Sequence, residues 1–247
     1  MKPFERIVFP LDLPTEKEAL EFVKNLSGLV GVFKVGLELF VASGPSVIEK
    51  IKRISPETKI FLDLKFHDIP ETMKRAVSSA ACLGVDFITI HVSAGEEALK
   101  AAVATGSASG GGKLKILGVT VLTSISKQDL EDMDPALRNV ESLVLRRAAL
   151  AKECGLDGIV CSGLEAKKIK ETFGEGFIAL TPGIRLKQDQ KKDDQKRVTT
   201  PYDAIFNGAD YLVIGRPIRD SKNPSETLDI ITKEIEKALK DRESSFK

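Results

Sequence analysis

The segment Asp63-Leu64-Lys65-Phe66-His67-Asp68-Ile69-Pro70-Glu71-Thr72 sets two carboxylates around a lysine within six positions, directly after the apolar Ile60-Phe61-Leu62. In an extended strand alternate side chains share a face, so Asp63 and Lys65 are expected to point the same way. The turn required before Pro70 frees Asp68 to point elsewhere, including toward a neighbouring subunit. Acid, base and acid at the end of a strand suit proton-transfer chemistry, and a soluble core holds such charges only when they are paired. The same Asp-x-Lys pair could be an ion pair on an exposed strand face. The nearly continuous apolar character of this strand instead suits burial on both sides.

Such residues need elements to hold them. Eight short apolar runs recur: Ile7 to Leu13, Val32 to Leu39, Lys59 to Lys65, Asp86 to Val92, Leu114 to Leu122, Gly158 to Ser162, Phe177 to Ile184 and Tyr211 to Ile218. Amphipathic segments separate them, among them Thr15 to Leu26, Pro45 to Ile54, Thr72 to Leu83, Glu96 to Ala104, Val140 to Cys154, Glu165 to Phe173, Pro201 to Asn207 and Pro224 to Leu239, and the longer ones carry a 3.6-residue apolar period. Alternating strands and helices imply a parallel sheet with helical crossovers. The count of eight and a length of 247 residues predict an α/β fold, a single-domain (β/α)8 TIM barrel over residues 1–247. An open doubly wound sheet is the alternative, but no Gly-x-Gly-x-x-Gly follows the first strand.

Composition narrows the function classes. Hydrophobic residues make up 42% and charged residues 30%, with a net charge of +1. Bulk electrostatics therefore gives no reason to expect nucleic acid or an anionic membrane. No apolar run reaches the ~20 residues of a membrane span, and the N-terminus has no secretory hydrophobic region, which reads as a cytoplasmic protein. Cys82, Cys154 and Cys161 lack Cys-x-x-Cys spacing and read as buried reduced thiols. With His67 and His91 as the sole histidines, a His-rich zinc site is not expected.

In a barrel, polar residues at the carboxyl ends of strands converge on one mouth. These are Asp12, Lys34, Asp63, Lys65, His91, Thr123-Ser124, Pro182-Gly183-Ile184-Arg185 and Gly215-Arg216. Each has a structural alternative: Asp12 could cap a helix, Lys34 could snorkel, and His91 could be a hydrogen-bonded core residue. The two Gly/Arg segments after strands seven and eight suit phosphate, since glycine lets backbone N–H groups approach and arginine offers a matching fork. Residues 186–198 form a long polar loop on that same face, either a solvated excursion or a mobile lid. Gly106 to Lys113 reads as a flexible connector on the opposite, stability face.

These motifs together resemble the orotidine 5′-monophosphate decarboxylase family in its shorter, prokaryotic-type form. The resemblance rests on the Asp63–Thr72 signature, with Thr181-Pro182-Gly183-Ile184-Arg185, Gln195-x-Arg197 and Ile214-Gly215-Arg216-Pro217-Ile218 in the expected order, and it covers essentially the whole chain. It implies decarboxylation of orotidine 5′-monophosphate to uridine 5′-monophosphate, the last step of de novo pyrimidine synthesis, with no metal and no organic cofactor. It also implies a homodimer in which Asp68 enters the partner's site. The catalytic set it implies is Lys34, Asp63, Lys65 and Asp68. The substrate-binding set adds Asp12, Leu64, Phe66, His67, Ile69, Pro70, Glu71, Thr72, Thr123, Ser124, Pro182, Arg185, Gln195, Gly215 and Arg216. Between Thr123 and Ser124 the resemblance favours Thr123 near the pyrimidine.

Two other readings compete. Among sugar-phosphate decarboxylases, aldolases and epimerases on similar barrels, those with a similar Asp-x-Lys pair typically use an Asp-x-Lys-Thr-x-Asp pattern and Mg²⁺, whereas Phe66 stands here in place of the threonine and His67-Asp68-Ile69-Pro70 follows. A barrel that merely binds a nucleotide would have no use for the acid–lysine array.

Overall fold

Strand β1 (Ile7–Pro10) pairs in parallel with β2 (Val32–Gly36), and the ladder continues through β3 (Lys59–Phe66), β4 (Phe87–His91), β5 (Lys115–Val119), β6 (Gly158–Val160), β7 (Ile178–Thr181) and β8 (Tyr211–Val213). Ile7 against Leu212 joins β8 back to β1 and closes an eight-stranded parallel barrel, as the alternation predicts. The computed structural model describes residues 1–109, 114–134, 139–187 and 198–245.

Each crossover carries at least one helix. These are α1 (Glu16–Leu26), α2 (Leu37–Ser43), α3 (Ser46–Ile54), α4 (Pro70–Cys82), α5 (Glu96–Ser109), α6 (Lys127–Met133), α7 (Val140–Glu153), α8 (Ala166–Phe173), α9 (Pro201–Phe206), α10 (Arg216–Arg219) and α11 (Pro224–Ser245). Local chemistry starts them. Thr15 accepts the Glu18 N–H ahead of α1, Asn139 accepts the Ser142 N–H ahead of α7, and Pro70 opens α4, where its missing N–H costs nothing.

Strand parity sorts the side chains into two layers. Inside the barrel, Val8, Val32, Phe61, Phe87, Leu117, Leu180 and Tyr211 meet in one cluster. The intervening positions, such as Phe9, Phe33, Ile60, Leu62, Ile88 and Ile159, face the helices and join the main core. Each such large apolar side chain taken from water contributes about 1.5–3 kcal/mol. At the amino-terminal end, Asp86, Asp157 and Asp210 accept the backbone N–H groups of Ile60, Ile116 and Ala179 at 2.8, 2.9 and 2.8 Å. A carboxylate before β4, β6 and β8 thus satisfies the start of the strand before it.

The structure corrects several sequence expectations. The run Val32 to Leu39 is not one strand: β2 stops at Gly36, and Leu37 begins α2, where Leu39 turns inward while Leu37 and Val41 stay exposed. The last run likewise breaks at Val213, and its Arg-Pro-Ile end lies in helix α10. Helix α5 continues through Gly106 to Ser109, into the segment expected to be a connector. A Cβ on Gly106 would lie 2.8 Å from Ile116, so the missing side chain lets the helix pack on β5. Among the cysteines, Cys154 and Cys161 are buried, but Cys82 is exposed at the end of α4. Among the described residues, no helix is long and apolar enough to cross a membrane.

Candidate active site

One step further along each strand, the inward parity that builds the barrel core delivers polar groups. Lys34 follows Val32, Asp63 follows Phe61 and Thr89 follows Phe87, each two positions on. Lys34 and Asp63 line a cavity of about 520 Å³ at the carboxyl ends of the strands, and the fully buried Thr89 supports Asp63 from beneath.

The charges alternate along the floor. Lys34 Nζ lies 3.0 Å from Asp12 Oδ1 and 3.6 Å from Asp63 Oδ2, and Lys65 Nζ lies 2.8 Å from that same Asp63 oxygen. The Thr89 hydroxyl donates to the other Asp63 oxygen at 2.8 Å. Burial alone would raise the Asp63 carboxyl; the charges of Lys34 and Lys65, with the bonds from Lys65 and Thr89, outweigh it and hold its pKa below the usual carboxylate range. Asp63 is therefore ionised at neutral pH, and Lys34 and Lys65 each lie within ion-pair distance of it.

Lys65 reaches Asp63 by a route that simple alternation does not give. The β3–β4 register jumps between Leu62↔Ile88 and Phe66↔Ile90, so β3 carries two extra residues there. Within this bulge Lys65 takes φ +52°, the left-handed region that a non-glycine residue seldom adopts. Its N–H donates to the Thr89 hydroxyl at 3.0 Å instead of to a strand carbonyl. The expected Asp63–Lys65 contact thus forms through a distorted backbone.

The rest of the cavity wall comes from strand-end loops. Thr123 follows β5, Pro182 and Arg185 follow β7, and Gly215 and Arg216 follow β8; all five line the cavity, as do Asp12, Lys34, Asp63 and Lys65. Arg185 is buried and its guanidinium donates to the Ile184 carbonyl at 2.7 Å. A Cβ on Gly215 would lie 2.9 Å from Pro10, so glycine also serves the closure of β8 on β1.

The remaining predicted residues lie away from this wall in the single chain. Leu64 and Phe66 pack against the main core. His67, Asp68 and Ile69 are exposed on the turn after β3, where Asp68 Oδ1 accepts the Ile69 N–H at 2.7 Å. Pro70, Glu71 and Thr72 begin α4, with Glu71 bonded to Arg75 at 3.0 Å. Ser124 is exposed beside Thr123. Gln195, with most of the 186–198 loop, lies outside the described residues. At the base of that loop, Thr199 donates its N–H to the Gly183 carbonyl and accepts from the Arg185 N–H, so its two ends are held together.

A family model described as "Orotidine 5'-phosphate decarboxylase / HUMPS family" matches residues 5–231. The chain belongs to this family. An orotidine 5′-phosphate decarboxylase of Desulfosudis oleivorans is 50% identical over 242 residues, 96% of either chain. One from Fusobacterium nucleatum is 44% identical, over 92% of this chain and 94% of the relative. The crystal structure of orotidine 5′-phosphate decarboxylase from Lactobacillus acidophilus matches with a TM-score of 0.80 at 36% identity, covering 93% of this chain and 98% of that one.

Two polar residues at this family site escaped the sequence reading. Thr89 carries no charge and sits in an ordinary β-forming run, so only strand parity with Phe87 could have marked it. Arg219 lines the cavity three positions after Arg216, and the spacing of one helical turn was the available signal.

Proposed function

We propose that the protein decarboxylates orotidine 5′-monophosphate to uridine 5′-monophosphate in pyrimidine biosynthesis, with Lys65 stabilising and then protonating C6, and without a metal or organic cofactor. The observation that carries this reading is the Asp12–Lys34–Asp63–Lys65 array on the floor of a cavity whose wall holds Arg185 and Arg216. Positive groups on one side and alternating charges on the floor suit a substrate that is a phosphate at one end and a carboxylated ring at the other.

In this account Gly215, Arg216 and Arg185 take the phosphate, joined by Gln195 from the 186–198 loop acting as a lid. Lys34 and Asp12 take the ribose, and Thr123 and Pro182 flank the pyrimidine. The C6–carboxylate bond breaks, CO₂ leaves, and the electron pair stays on C6, where the ring offers no conventional sink. The stabilisation required lies toward the large end of the enzymatic range, up to about 23 kcal/mol. The Lys65 ammonium, fixed by Asp63 before the reaction begins, faces the growing charge at no reorganisation cost and then passes its proton to C6. Phosphate binding remote from this bond assists by closing the lid and fixing the ring.

Asp68 completes the array from a partner chain in a homodimer. Its exposure outside its own cavity, beside an Ile69 that is 67% exposed, supports this arrangement. We place the reaction in the cytoplasm, with no role for nucleic acid or membrane.

The test is product analysis in D₂O. Proton nuclear magnetic resonance should find uridine 5′-monophosphate carrying deuterium at C6, released with one equivalent of CO₂. Unchanged orotidine 5′-monophosphate after incubation with folded protein would overturn the reading.

A further inference from the structure

His91, the last residue of β4, stands two positions beyond Thr89 and is half-buried. It does not line the cavity. Its ring meets that of His67 edge to face, with centroids 5.5 Å apart and planes at 61°. Ser93, two residues on, places its hydroxyl 3.4 Å from His67 Nε2. The backbone ladder between β3 and β4 resumes at Phe66↔Ile90 after the bulge at Lys65. The strained segment is thus tied to β4 at two adjacent places, by backbone at Phe66 and by side chain at His67, and Asp68 is the next residue.

We propose that His91 is a positioning residue for this enzyme: its ring, packed against His67, fixes the turn that carries Asp68. The inference rests on the decarboxylase reading for its kinetic consequence, but the contact itself does not. An edge-to-face pair is attractive because a positive ring edge meets a negative ring face. The groups facing His91 keep it neutral. Burial lowers its pKa from the free value of 6.5, and His67 on the turn, Lys65 on β3 and Arg147 on α7 lower it further, against a smaller opposing pull from Asp63. The ring is therefore uncharged at neutral pH and gains a proton only below the usual histidine range, where it would stand as a cation among cations.

Three forms of the full-length protein separate this role from simple support: wild type, His91→Ala and His91→Phe. Phenylalanine keeps the ring and cannot titrate. His91→Ala should lower kcat about tenfold, the effect of losing one such ring contact, with KM within about twofold because the phosphate and ribose groups are untouched. His91→Phe should restore kcat and remove the part of the acid limb of the wild-type pH profile that lies below pH 6.5. Amide hydrogen exchange at residues 66–69 should quicken in His91→Ala and stay as wild type in His91→Phe. That second readout does not depend on turnover, so it tests the positioning role even if wild type fails to act on orotidine 5′-monophosphate. Equal loss of kcat in both variants, unchanged kcat in His91→Ala, or unchanged exchange at the turn would each overturn the proposal.

Discussion

At Lys65 the chain adopts a backbone conformation that costs a non-glycine residue about 1–3 kcal/mol, and the surroundings offset it. Thr89 takes the displaced N–H and Asp63 takes the ammonium. Asp63 is the pivot of the site, and its depressed pKa has a consequence for stability. A carboxyl whose folded pKa lies below its free value of 3.8 stabilises the protein fully above that value and loses the contribution as pH falls through the folded value. Urea unfolding between about pH 5 and pH 3 should show a steeper acid loss for wild type than for Asp63→Asn. Equal slopes would mean that the pairing adds nothing to the fold. On the opposite wall, Arg216→Ala should lower kcat/KM by about 10–100-fold, the value of one or two hydrogen bonds to a charged group, with the melting curve unchanged. Unaltered kinetics in the folded variant would remove the arginine from the phosphate site. Lys34, Asp63 and Lys65 were legible in the sequence because charge inside an apolar strand is conspicuous. Thr89 and the bulge were not, since threonine is at home in any strand and a register jump leaves no mark of its own in the residue pattern.

Between residues and fold stand the elements, and here glycine decides how closely the strands can carry charge. A Cβ on Gly36 would lie 2.9 Å from Lys34 Nζ and 3.0 Å from Asp12 Oδ1. Both are far ends of flexible side chains, so Gly36→Ala should fold with little change in melting temperature while pushing the pair apart. Steady-state kinetics should then show kcat/KM down about tenfold or more, in keeping with a shift of a few tenths of an ångström to one ångström at a positioned group. Normal kinetics would show that the Lys34–Asp12 geometry is not limiting. The strand–helix alternation was readable from periodicity, but α2 and α10 were not. Both follow their strands with almost no connecting residues, so the apolar run continues across the boundary and hides the change of period. The Gly-x-Asp repeats at residues 84–86, 155–157 and 208–210 also passed unread. Their regularity has meaning only once each aspartate is seen to hold the strand before it.

At the scale of the whole molecule, eight apolar runs in 247 residues were enough to predict a closed barrel, because a parallel sheet buried on both faces leaves few ways to arrange that many strands. What a single chain does not contain is a carboxylate from Asp68 in its own cavity. If a partner supplies it, chains carrying Lys65→Ala and chains carrying Asp68→Ala are each inactive alone. Mixing them after dissociation should regenerate activity, toward about a quarter of the wild-type level at equal amounts, since half of the dimers would be mixed and each would hold one intact site. No recovery in demonstrably mixed dimers would place Asp68 outside the shared site.

The most direct measurement follows the ultraviolet absorbance of orotidine 5′-monophosphate mixed with purified protein in excess EDTA, for wild type and for Lys65→Ala. Wild type should convert it rapidly to uridine 5′-monophosphate, and Lys65→Ala almost not at all. No conversion by folded wild type, with turnover appearing on a sugar phosphate once Mg²⁺ is supplied, would contradict this expectation, as would a Lys65→Ala variant that keeps substantial activity.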